Sequence, residues 1–280
     1  MNTFRNHPHI YQINLMTWLN ELSNREQQNI TLATIPDKEW RILQAKGMDI
    51  VWLMGMWKRS PDSRKRAREE QSLVDECRNI LLDFVIEDIA GSPYAIFDYY
   101  PDLTFGSIDD LRSLREILED LGLFLVLDFV PNHTACDHPW IEQHSDFYVQ
   151  NKTAGKRNCG EGFFRPGHDP AKPCIAHGKD PYFPPWTDTA QLNYSNEKCV
   201  QAVIETMLNI SKYCHGIRCD MAMLLIKDVF NRTWAPYLQN RVCAQEFWPM
   251  AIKTVKSRNQ RFLFLAEAYW GTEQELQDQG

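Results

Sequence analysis

The sequence predicts an α/β fold in which parallel strands alternate with helices, and three observations carry that expectation. Five short apolar runs recur along the 280 residues, helix-forming stretches lie between them, and the runs lack the polar alternation of half-exposed strands. Runs of this kind read as parallel strands covered on both faces. They are 9–16 (HIYQINLM), 49–57 (DIVWLMGMW), 123–130 (LFLVLDFV), 216–222 (GIRCDMA) and 262–268 (FLFLAEA).

The helices between them carry their own start and stop signals. Pro36, Asp37 and Glu39 open one that ends near Gly47; Ser107, Asp109 and Asp110 cap a second whose leucine spacing reaches Leu121 before Gly122. A third runs over about 196–213 and leads into the fourth strand. Between the third and fourth strands lies residues 134–194, rich in Gly, Pro, His, Lys and Asp. That is too long for a simple connection and predicts a subdomain of its own.

Composition narrows the function. With 44% hydrophobic residues the chain can build a sizeable core, and 12% aromatics leave rings to spare as platforms for sugars or bases. A formal net charge of -7 argues against nucleic acid, which needs a Lys/Arg surplus. The basic run from Lys58 to Arg68 reads as a solvated loop and helix start, since Asp62, Glu69 and Glu70 interrupt or follow it. No apolar run approaches the ~20 residues of a membrane span, and the first residues are polar, so no membrane partner and a cytoplasmic location are expected. Eight scattered cysteines without a CxxC pair then read as reduced thiols, and the sequon at Asn151 carries no glycosylation meaning. Zinc held by Cys159 or Cys174 with His168 or His177 is an alternative that the irregular spacing disfavours.

The chemistry sits at strand ends. In a strand, residues i and i+2 share a face, so Arg218 and Asp220 face the same way. An arginine nearby should hold Asp220 ionised, as a nucleophile requires; a structural ion pair is the competing account of this strand alone. The neighbouring ends favour a site. Asp128, Asn132 and His133 follow the third run, and Glu267 closes the fifth. An apolar setting should raise the Glu267 pKa and suit it to donate a proton. One ionised and one protonated carboxyl are the parts of a glycoside-cleaving pair, retaining if ~5–5.5 Å apart. A metal hydrolase built on Asp128, Asp137, His133 and His138 is weaker, because it leaves the Arg–Asp pair without a role.

In the order YQINLMTWL, DIVWLMGMW, SPYAIFDYY, DFVPNH, GIRCD and EAYW, the chain resembles the α-amylase superfamily, glycoside hydrolase family 13. The resemblance implies a (β/α)8 barrel of TIM type, split into 1–133, an inserted domain B at 134–194, and 195–280. It implies a retaining α-glycoside hydrolase with an α-glucan or oligosaccharide as substrate, Asp220 as nucleophile, Arg218 orienting it and Glu267 as acid/base. His133 and Tyr94 match substrate-binding positions, Asp128 a partner of the arginine network. Asn132 matches a position that binds calcium in many α-amylases.

Three departures qualify the match. Met223 and Leu224 stand where many members carry Lys-His on the acceptor side, and Ala95 replaces an Asp typical of exo-acting α-glucosidases. Five strands lie within 280 residues where the barrel takes eight, so the chain reads as truncated after the fifth strand. A transglycosylase, or a catalytically silent carbohydrate-binding fragment lacking the family's third catalytic Asp, are the alternatives.

Overall fold

A computed structural model of the chain describes residue 5 and residues 7–155, 158–238 and 243–280. Residues 1–4 and 6, on which the reading of a leaderless start partly rests, lie outside the described residues. The five apolar runs form one sheet of five parallel strands, Ile10–Asn14, Ile50–Met54, Phe124–Phe129, Gly216–Cys219 and Leu263–Ala266, arranged in chain order. With no reversal of order, there is no switch point at which the connections change sides.

Register sorts the side chains onto two faces. Leu53 lies beside Ile13 on one side and Leu127 on the other, and Leu127 lies beside Ile217; all four are buried beneath the helices. The opposite face carries Trp52, Asp128 and Arg218. The covering helices include Asp37–Ala45, Ile108–Asp120, Glu197–Ile210 and Phe247–Arg258. Ser107 caps the second through a reciprocal bond pair with Asp110, and Asn196 caps the third. Gly216 is dictated by packing: a Cβ there would stand 2.6 Å from Leu263 Cβ.

Residues 134–194 fold as short pieces rather than a second large sheet. His133–Ala135 pairs antiparallel with Thr189–Gln191, and Phe163–Phe164 with Ile175–Ala176.

The structure corrects three expectations. The two edge strands are not buried on both faces: Ile10 is 42% and Tyr11 45% exposed in the first, and Leu263–Ala266 in the fifth holds no fully buried residue, because each has a neighbour on one side only. Cys159 and Cys174 form a disulfide, which removes them as zinc ligands; the other six cysteines are free. Disulfides persist in oxidising compartments, so the cytoplasmic expectation loses the support of reduced thiols. The basic run is not merely solvated. Arg59, Arg64 and Arg68 donate to the carbonyls of Gly91, Ala90 and Ile89, which lie outside any helix or strand and need donors. No helix among the described residues is long and apolar enough to cross a membrane.

Candidate active site

The sheet itself positions the charged groups. Asp220 and Glu267 each stand one residue past a strand end, and both are held by continuation of the ladder: Asp220 N donates to Phe129 O (2.8 Å), and Glu267 N to Cys219 O (3.0 Å). Arg218, two residues before Asp220, lies on the same face. Its guanidinium bridges the two carboxylates, with Nη1 to Asp220 Oδ1 at 2.5 Å and Nη2 to Glu267 Oε1 at 2.8 Å. The guanidinium is clamped by rings, its Cζ 5.2 Å from the Trp52 centroid and 5.3 Å from that of Tyr94.

Asp128 supports this cluster from beneath. It is fully buried, accepts from Trp52 Nε1 (2.9 Å) and Gly55 N (2.6 Å), and its carbonyl accepts from Trp57 Nε1 (2.6 Å). Gly55 has φ +78°, a conformation that favours glycine and presents its N–H to the carboxylate. Burial pushes the Asp128 pKa up to about 6 despite these donors and the nearby arginines.

Glu267 is held at both oxygens. Tyr269 OH donates to Oε1 (2.9 Å) beside Arg218, and Met221 N donates to Oε2 (2.7 Å). Met221 lies at φ 47°, a left-handed position unusual for a side chain of its size, and the turn there accompanies the amide's contact with Glu267. The expected apolar setting of Glu267 is thus replaced by a hydrogen-bonded one. Asp220 departs from expectation as well. Burial raises its pKa to about 7, outweighing the Arg218 charge, and the second carboxylate adds to the rise.

The other sequence-derived residues form a separate group. His133 is buried, bonded to the Tyr94 backbone and tilted against Trp186 at 5.3 Å; burial lowers its pKa to about 4, which keeps it neutral. It therefore adjoins the cluster through Tyr94 rather than through the carboxylates. Asn132 is engaged by Gln191, which donates from Nε2 to Asn132 Oδ1 (3.0 Å) and accepts from Nδ2 (3.2 Å) at its own Oε1. Among the described residues no three His, Cys, Asp or Glu side chains converge on a metal-sized space. This mutual amide pair does not fit a hard-cation cage. Asp137 caps Ser60 and the Asp62 amide, and His138 accepts from Trp140 N, so both have structural partners. Met223 and Leu224 are buried rather than turned to the cleft.

Sequence reasoning missed Trp52, Tyr269 and the Met221 amide. Trp52 was accessible through two-residue alternation in DIVWLMGMW, and Tyr269 by its place two residues after Glu267. The amide had no signal, because its position depends on a backbone turn. Trp52, Arg218, Glu267 and Tyr269 line a cleft of about 1050 Å³, walled further by Trp248 and Leu276.

Parallel α/β proteins gather functional side chains at the C-terminal ends of their strands, and this chain is of that class. A family model described as "Alpha amylase, catalytic domain" matches residues 41–279, and the chain belongs to that family. The amino acid transporter heavy chain SLC3A1 of Mus musculus is 36% identical over 64 residues, 20% of this chain and 9% of that protein. Probable oligo-1,6-glucosidase 2 of Bacillus subtilis (strain 168) is 26% identical over 161 residues, 52% of this chain and 28% of that protein. A solved alpha-amylase from Lactobacillus plantarum superposes with a TM-score of 0.59 at 22% identity, over 98% of this chain and 48% of that one. The chain thus spans about half of that solved relative and smaller shares of the curated ones.

Proposed function

We propose that the chain carries the donor-side machinery of a retaining α-glycoside hydrolase acting on α-glucans or related α-glucosides. One observation carries the reading: a single ring-clamped arginine holds two carboxylates at the ends of adjacent parallel strands. Carboxylates that share one guanidinium are close, which suits the ~5–5.5 Å of a retaining pair better than the ~6.5–9.5 Å that leaves room for water between them. Asp220 attacks the anomeric carbon and forms a glycosyl ester, while Glu267 gives its proton to the departing oxygen. Glu267 then takes a proton from water, and the resulting hydroxide equivalent releases the sugar. A sugar hydroxyl in place of water gives transfer instead.

Membership of the alpha-amylase family and the likeness to an oligo-1,6-glucosidase support a carbohydrate substrate. In this reading residues 1–133 and 195–280 belong to one barrel and 134–194 to an inserted domain. Incubation with maltooligosaccharides and isomaltose, with Asp220→Asn as control, tests it. Asp220→Asn is expected to lower turnover by about 10⁶-fold, the scale seen when a catalytic nucleophile is removed. Unchanged turnover rejects the assignment. Because Asp220 must be ionised to attack and has its pKa near 7, the acid limb of kcat/KM should rise through about pH 7.

A second reading is favoured by the match to a relative named as an amino acid transporter heavy chain and not as a hydrolase. There the same cleft binds sugar or a protein without turning anything over. Calorimetric binding of maltotriose with no product after prolonged incubation would select it.

A further inference from the structure

A second cavity, of about 470 Å³, shares no lining residue with the carboxylate cleft. It includes Phe129, which stands next to Asp128 in the third strand and so faces the helix-covered side of the sheet. Its size falls within the ~300–1,000 Å³ of small-molecule sites.

Its walls combine flat rings with unused polar groups. Tyr100 is 58% exposed, and Trp140 stands edge-on to His138 at 5.0 Å. His138 Nδ1 accepts from Trp140 N at 3.1 Å, so in its neutral form the ring carries its proton on Nε2, free to donate. Burial lowers the His138 pKa to about 4, which keeps that form at neutral pH. Gln143 and Asp98, both exposed, have no side-chain hydrogen-bond partner among the described residues.

Charge selects among ligands. Lys58 Nζ lies 4.6 Å over the Phe97 ring, and the Arg112 guanidinium 5.2 Å over Tyr213, so two of the lining rings already carry cations. A cationic ligand meets like charge there, and an anionic one meets Asp98. An uncharged polyol ring meets neither objection, and its mixed surface of C–H faces and hydroxyl edges matches rings bordered by amide, imidazole and carboxylate.

We propose that this cavity is a second carbohydrate site, which takes a sugar ring of a glucan chain against Tyr100 and Trp140 and bonds its hydroxyls to Asp98, His138 and Gln143. The choice of an α-glucan rests on the function proposed above; the preference for an uncharged sugar does not. Calorimetric titration with maltotriose, in an Asp220→Asn background so that nothing is consumed, tests the site. Two classes of site are expected. Gln143→Leu, and separately Tyr100→Ala, should weaken one class about tenfold, as the loss of a bond or a stacking face does, and leave the other unchanged. Both changes are at exposed positions, and with Asp220 intact both should leave turnover of a short soluble glucoside within about twofold. A single class of site that neither substitution alters, or two classes both unaltered, overturns the proposal. Failure of the catalytic reading appears elsewhere, as turnover that survives Asp220→Asn.

Discussion

Buried beside a guanidinium, Asp220 is pulled in opposite directions, and burial prevails. Its folded pKa of about 7 lies above the ordinary 3.8, so between those values the folded chain holds a proton that the unfolded chain releases. The Asp220 contribution to stability is therefore full below about pH 4 and lost as pH rises through about 7. His133 and His138 act in the reverse sense: with pKa values lowered to about 4, their contribution is full above the ordinary 6.5 and lost as pH falls through about 4. Urea titrations of the parent and of Asp220→Asn isolate the aspartate. The variant should gain relative stability steadily from pH 4 to 7, and a difference that is flat or falls across that window counts against the burial of Asp220. The Arg218–Asp220 pair was legible in sequence because two-residue alternation places both on one face. The Asn132–Gln191 pair was not, since 59 residues separate its members and nothing local marks Gln191 as a partner.

Among the elements, the five strands were legible because each is an unbroken apolar run, and two of the helices because Pro36 with Asp37 opens one and Ser107 caps the other. The arginine-fed segment before Tyr94 was not, because its order comes from side chains reaching across rather than from its own pattern. Strand packing gives a sharp test. Gly216→Ala would place a Cβ 2.6 Å from Leu263 Cβ and 2.8 Å from Leu263 O, so the fourth and fifth strands must part locally. A loss of about 1–3 kcal/mol is expected from such overpacking, read as a lower urea midpoint. Because Arg218 and Leu265 pair two residues further along, the same change should lower turnover as well. An unchanged midpoint would mean that the two strands are loosely joined at Gly216.

Across the whole molecule, the sheet separates two regions of different character, one face packed under helices and the other lining the charged cleft. The segment that returns from the third strand to the fourth is tied by Cys159–Cys174, 15 residues apart. Replacing both cysteines by serine should lower stability by about 3 kcal/mol on the loop-entropy account. Denaturant unfolding with and without reductant measures it, and equal midpoints would show that the tie does not constrain the unfolded chain. The pairing was illegible because the two cysteines follow no recognisable spacing and meet only when the short strands Phe163–Phe164 and Ile175–Ala176 pair beside them. The pairing of Arg218 with Leu265 has a wider consequence. Asp220 and Glu267 each lie two residues beyond that pair, so the gap between them is measured out by neighbouring strands, whose spacing is fixed at about 4.8 Å by backbone bonds. A ruler of that kind does not bend with the loops around it. Residues 134–194 are free to diverge, while the distance between the two carboxylates stays where the backbone has set it.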